Sequence, residues 1–233
     1  MYVILIYDAY LYAVTISFLI LIQSLFISGI GTGIGKTIVS AILAEALEAD
    51  YWKPVQAGCT EGTDSEMVQS VLSNNKSIVF PEVYKMKLPA PPHIAARNED
   101  IEISLEKIFA TYSGYLTQDK FFIIEGPGGL LVPLNEHELV IDLVRRLNTK
   151  VILVSRNYSG SINHSLLTAQ VCRQKNIRVL GWIFNDQYMD YEEDIILWSG
   201  YPKLASIGKL EKIDKSSIRE EAAGIKENLL QLL

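Results

Sequence analysis

Residues 25–47 read Leu-Phe-Ile-Ser-Gly-Ile-Gly-Thr-Gly-Ile-Gly-Lys-Thr-Ile-Val-Ser-Ala-Ile-Leu-Ala-Glu-Ala-Leu. The apolar run Leu25–Ser28 suits a buried strand, and the stretch from Ile38 to Leu47 has the composition of a helix. Between them lie four alternating glycines, Gly29, Gly31, Gly33 and Gly35, closed by Lys36-Thr37. Strand, glycine loop, Gly-Lys-Thr and helix together form the pattern of a phosphate-binding P-loop. Glycines let backbone N–H groups turn toward a polyphosphate, and the helix N-terminus adds partial positive charge at the same point. Lys36 is expected to reach the β- and γ-phosphates, and the Thr37 hydroxyl to ligate Mg²⁺. The usual spacing would place the first glycine at position 30, which here is Ile30; the framing glycine is Gly29, so the spacer is one residue longer.

Outward from the loop, apolar strands alternate with amphipathic helices. Strands are expected near Tyr51–Val55, Phe121–Glu125, Val151–Ser155, Arg178–Asn185 and Lys203–Ile207. Helices are expected near Asp64–Leu72, His93–Ala96, Ser104–Leu116, Leu139–Leu147, Ile162–Lys175 and Ser216–Leu232. Gln56-Ala57-Gly58 reads as a loop, and Gly126-Pro127-Gly128-Gly129 as the end of its strand. The alternation predicts an α/β fold of the P-loop NTPase type, a mostly parallel sheet with helices on both faces and ligands at the C-terminal strand ends.

The 233 residues suffice for one such domain over residues 23–233, and 49% hydrophobic with 21% charged residues is a globular composition. A net charge of −6 without any basic run argues against nucleic acid held through its phosphates. Cys59 and Cys172 are far apart and read as two reduced thiols in a reducing compartment. Residues 1–22 form an apolar extension broken by Asp8, and no Lys or Arg precedes Lys36. A signal peptide needs a basic start and an anchor needs cationic flanks. Three readings stay open for this extension: a membrane anchor, an element packed on the domain, or sequence upstream of a natural start near Leu21 or Ile22. The last is preferred.

Two carboxylates fall where a metal–nucleotide site needs them. Glu125 ends a buried strand, where an unpartnered charge is costly. Asp64 opens a helix at the same sheet edge, with a plain N-cap (Thr63 or Asp64) as the alternative. With Thr37 they supply the hard oxygen ligands that suit Mg²⁺. Lys53 ends a strand and precedes Pro54, and a second cation facing the γ-phosphate would stabilise charge in phosphoryl transfer. No Ser-His-Asp or Cys-His set accompanies them, and His93, His137 and His164 lack metal-ligand spacing.

The chain resembles the dethiobiotin synthetases. The resemblance is carried by Gly29–Thr37 with its longer spacer, Lys53–Gly58, Thr63-Asp64-Ser65, Pro91–Ala96, Glu125–Leu134, Gly160–His164 with Leu167-Thr168-Ala169, and Gly181–Asn185. It implies a ligase acting on 7,8-diaminopelargonate, CO₂ and ATP with Mg²⁺, in a cytoplasmic homodimer. By the same resemblance Thr32, Lys36 and Lys53 would be catalytic. Gly31, Thr32, Gly33, Ile34, Gly35, Lys36, Thr37, Glu125, Gly126, Gly128 and Asn185 would bind nucleotide, with Asn185 at the adenine. Thr37, Asp64 and Glu125 would hold Mg²⁺. Thr32, Lys53 and the backbone of Ala57 would line the diamine site. Gly160, Ser161, Ile162 and Asn163, at a helix N-terminus, would take the substrate carboxylate across the dimer interface.

Some positions depart from the family pattern. Ile30-Gly31 replace a usual Thr-Asp, Pro127 replaces a commoner alanine, and Gly208 stands for a proline near the base, which leaves the base preference open. Two rivals share the fold. Partitioning-type ATPases carry an extra lysine early in the loop, absent here, and their membrane forms use a basic C-terminal helix, unlike Arg219–Leu233. Amide- or cobyrinate-type ligases would differ only in substrate.

Overall fold

A computed structural model describes residues 24–116, 120–186 and 190–233. The expectations for residues 1–22 lie outside them. Nine strands are present among the described residues: β1 (Ser24–Gly29), β2 (Asp50–Trp52), β3 (Val55–Ala57), β4 (Val79–Phe80), β5 (Tyr84–Met86), β6 (Phe122–Gly129), β7 (Lys150–Arg156), β8 (Val179–Asn185) and β9 (Lys203–Ile207). The helices are α1 (Lys36–Leu47), α2 (Asp64–Val71), α3 (Pro92–Asn98), α4 (Leu105–Tyr115), α5 (Val140–Leu147), α6 (Ser161–Gln174), α7 (Glu192–Ser199) and α8 (Lys215–Leu232).

Seven strands form one sheet in the order β4-β2-β6-β1-β7-β8-β9, every pair parallel. The P-loop strand β1 is therefore central, flanked by β6 and β7. Its side chains alternate between two separate cores, as a strand covered on both faces requires. Leu25 and Ile27 join α1, α2 and α8 on one face, while Phe26 joins α3 through α7 on the other. All three are fully buried, a contribution of about 1.5–3 kcal/mol each. The expected α/β sheet with helices on both faces is what the chain forms. Among the described residues no helix is long and apolar enough to cross a membrane.

Three local expectations differ. The expected strand Tyr51–Val55 breaks at Lys53-Pro54, and Val55 joins Gln56 and Ala57 of the expected loop in β3, paired in parallel with β5 to make a separate two-stranded sheet. The glycine run after Glu125 does not end its strand: β6 continues to Gly129, which pairs with Gly29 beyond a register shift. Helix α7, which the alternation did not predict, packs on the Phe26 side through Ile195. Thr63, not Asp64, caps α2. Its hydroxyl accepts from Glu66 N at 3.1 Å, and Glu66 returns the bond to Thr63 N at 2.8 Å.

Candidate active site

Two glycines of the P-loop leave no room for a side chain, Gly29 and Gly35. Gly35 precedes α1 with φ of 88°, a left-handed conformation. A Cβ there would also collide with the Asn185 side chain. Asn185 sits at the end of β8, is buried, and donates its Nδ2 to the Ile34 carbonyl at 3.1 Å. It thus ties the loop to the sheet two strands away. Ile34 is itself buried and fills the space that a side chain at Gly29 would occupy.

Lys36 opens α1 and folds back over the loop, its Nζ donating to the Gly31 carbonyl at 2.8 Å. Burial is the main influence on it and pulls its pKa down to about 8, against the opposing pull of the Glu125 carboxylate. Lys53, in the turn between β2 and β3, is the second buried lysine. Its Nζ lies 3.0 Å from Glu125 Oε1 and contacts Asp64 Oδ2 directly. Burial would lower its pKa, but Glu125 and Asp64 together hold it above the ordinary lysine value.

Glu125, inside β6, is 1% exposed and fully partnered. Oε1 accepts from the Thr37 hydroxyl at 3.0 Å and from Lys53, and Oε2 accepts from the Tyr51 hydroxyl at 2.9 Å. Burial first, then the Glu125 charge, pushes the Tyr51 phenol well above its usual pKa, so it stays a donor. With Thr63 as the cap, the Asp64 carboxylate is free to meet Lys53. Its backbone N–H goes to Gln56 Oε1 at 3.3 Å.

Lys36, Thr37, Lys53, Gln56, Asp64 and Glu125 line one cavity of about 620 Å³, together with Thr32, Gly33, Gly35, Ala57, Gly128 and the Pro89–Pro92 wall. The structure therefore brings together Thr32, Gly33, Gly35, Lys36, Thr37, Lys53, Ala57, Asp64, Glu125 and Gly128. Gly31 contributes the carbonyl that Lys36 holds, and Gly126 packs over Phe26. A second cavity, about 600 Å³, lies on the outer flank of the loop, lined by Thr32, Gly33, Ile34, Arg156, Asn157, Tyr158, Asp186 and Lys209. A third, about 340 Å³ and largely apolar, runs from Gly29–Thr32 past Gly129–Val132 to His164, Leu167, Thr168 and Val171 on α6.

Gly160, Ser161, Ile162 and Asn163 stand apart from the Lys36–Lys53 cavity. Gly160 caps α6 with φ of 100°; Gly160 and Asn163 are exposed, while Ser161 is buried. Tyr51, Gln56 and Arg156 were missed by sequence reading. For Tyr51 a signal existed, since it lies two residues before Lys53, the spacing that puts two strand side chains on one face. Arg156, paired with Asp186, gave none.

The oxygens of Thr37, Asp64 and Glu125 are the hard donors that suit Mg²⁺. Among the described residues no group of three or more His, Cys, Asp or Glu side chains could enclose a metal. The set therefore fits an ion that keeps waters and shares phosphate oxygens rather than one caged by protein.

A family model described as an AAA domain matches residues 23–217. Among solved structures, the cell division ATPase MinD of Pyrococcus furiosus covers 91% of this chain and 100% of its own, with TM-score 0.63 and 14% identity. A ParA family ATPase from Chlorobium tepidum gives 0.56 at 13% identity over 91% and 97% of the two chains. At such identities the likeness concerns the fold alone. Sequence relatives are far nearer. The ATP-dependent dethiobiotin synthetase BioD of Cytophaga hutchinsonii is 48% identical over 204 residues, covering 87% of this chain and 97% of that protein. The protein of that name from Christiangramia forsetii is 39% identical over 213 residues, covering 90% and 99%. Identity at that level, sustained through nearly the whole of each relative, exceeds anything a shared fold demands, and the chain belongs to the ATP-dependent dethiobiotin synthetase family.

Proposed function

We infer that the chain is a ring-closing ligase that converts 7,8-diaminopelargonate and CO₂ to dethiobiotin, with ATP cleaved to ADP and phosphate. The observation that carries this is the pair of buried lysines, Lys36 and Lys53, facing one cavity beside Glu125 and Asp64. An amine that captures CO₂ becomes a carbamate anion, which must be held against a second anion, the γ-phosphate. Two lysines at one P-loop answer that need. The carbamate oxygen then takes the phosphoryl group, the neighbouring amine attacks the carbamate carbon, and phosphate leaves as the ring closes. Positioning two amines and two anions is the main task, in keeping with a site built of cations and backbone rather than of a nucleophile.

Thr37, Asp64 and Glu125 would hold Mg²⁺, which supplies charge neutralisation along the phosphates. Thr32 and the Ala57 backbone line the diamine position. The N-terminus of α6, Gly160 to Asn163, with Gly160 and Asn163 exposed, is suited to the substrate carboxylate of a second copy in a homodimer. The outer cavity with Arg156, Asp186 and Lys209 is suited to the nucleoside, with Asn185 behind Ile34 on its loop side. Purified protein is expected to hydrolyse ATP only in step with added diamine and bicarbonate. ATP turnover indifferent to the diamine would overturn the assignment.

A further inference from the structure

We propose that Tyr51 is a positioning residue that sets which oxygen of Glu125 faces the phosphate cavity. The terminal torsion of a glutamate is broad and nearly two-fold, so the side chain does not choose between its oxygens by itself. Glu125 is almost without solvent, and its orientation is therefore decided by protein donors. Those donors are divided. The Thr37 hydroxyl and the Lys53 ammonium, both lining the cavity, go to Oε1, each at 3.0 Å. The Tyr51 hydroxyl alone goes to Oε2, at 2.9 Å.

Tyr51 is well built for this task. It is fully buried on β2, beside β6, with its backbone in register with Ile123 and that of Trp52 with Ile124. The phenol is a rigid arm anchored by a paired strand. It occupies one oxygen and leaves Oε1 to the groups that line the cavity. Its hydroxyl donates to Glu125, and Tyr51 does not line the cavity, so its effect on the chemistry passes through Glu125.

The test, resting on the reading of Glu125 as the carboxylate turned toward a divalent cation, uses the full chain and needs neither diamine nor CO₂. Mn²⁺ binding to the protein–ADP complex is followed by electron paramagnetic resonance, and ADP binding in EDTA by calorimetry. Tyr51→Phe keeps the ring and removes one oxygen. It is expected to weaken Mn²⁺ binding by about 10- to 100-fold, with metal-free ADP affinity kept within about twofold. Added to Glu125→Gln, the same substitution is expected to cause no further loss. This double variant carries no buried charge at position 125, so it keeps the comparison open if the single variant folds poorly. Unchanged Mn²⁺ affinity would overturn the proposal. So would an equal loss in the Glu125→Gln background, or a parallel loss of metal-free ADP binding, since either would make Tyr51 a packing residue only. Because the readout is metal and nucleotide alone, it stands or falls separately from the ligase activity.

Discussion

Removing the Lys53 ammonium separates the site's stability from its chemistry. In Lys53→Ala the buried Glu125 loses its donor at 3.0 Å and keeps only the Thr37 and Tyr51 hydroxyls. Asp64 loses the same partner, but its side chain is 31% exposed and water replaces much of the contact. The cost is thus that of one buried charge left without its counter-ion, about 3–5 kcal/mol. In a chain of this length each kcal/mol moves Tm by about 2–4 °C, so melting in EDTA should fall by about 6–20 °C. Added Mg²⁺ should recover most of that fall, because a divalent cation between the same carboxylates replaces the missing charge. Activity should not recover. The ammonium also meets charge that develops during phosphoryl transfer, a role worth about 10³-fold or more. Differential scanning fluorimetry with and without Mg²⁺, beside a diamine-dependent ATPase assay, reads both effects. Turnover within about tenfold of wild type, or a melting point in EDTA that does not move, would refute the reasoning.

Lys36 predicts a pH dependence of nucleotide binding. With its pKa pulled to about 8, it is cationic below that pH and neutral above. A polyphosphate favours the cation, so ADP affinity should hold below pH 8 and then weaken by up to about tenfold per pH unit, with protons taken up on binding. Titration calorimetry in buffers of different ionisation heat checks this, and a flat affinity across the range refutes it. Gly35→Ala, strained at φ of 88° and blocked by Asn185, should weaken nucleotide binding by about 10- to 100-fold and erase nucleotide-induced thermal stabilisation. Gly31→Ala, where an added Cβ meets nothing within 4 Å, should fold as wild type by the same melting curve. Burial pushes the Cys172 thiol up to about 12, whereas Cys59 is partly exposed. A thiol reagent at about pH 8 should therefore modify only Cys59 in the native chain and reach Cys172 after unfolding.

How far the sequence could be read depends on whether each signal was local. The P-loop, its strand and its helix are contiguous, and glycine spacing with Lys36-Thr37 states the chemistry within nine residues. Gln56 and Ala57 look like loop because a three-residue strand is too short to show a period, and the partner β5 pairs with β3 from beyond a helix and another strand. The Gly126–Gly129 run looked like a terminus, since glycine weakens an isolated strand. It stays in the sheet because Gly129 pairs with Gly29, a contact across 100 residues. Glu125 was legible as a buried charge needing partners. That Thr37, Lys53 and Tyr51 supply them follows only from the sheet order, which places β2 and β1 on either side of β6.

Thr32 borders all three cavities around the loop: the one with the lysines, the outer one with Arg156 and Lys209, and the apolar one reaching Leu167. One threonine is thus the common wall of three rooms that differ in charge and polarity. A synthetic ligand that joined an anionic centre to a hydrocarbon arm and a heterocyclic arm could cross that wall and occupy all three at once. Linkage makes the second and third contacts intramolecular, so such an inhibitor would gain by effective concentration what no single-room compound can.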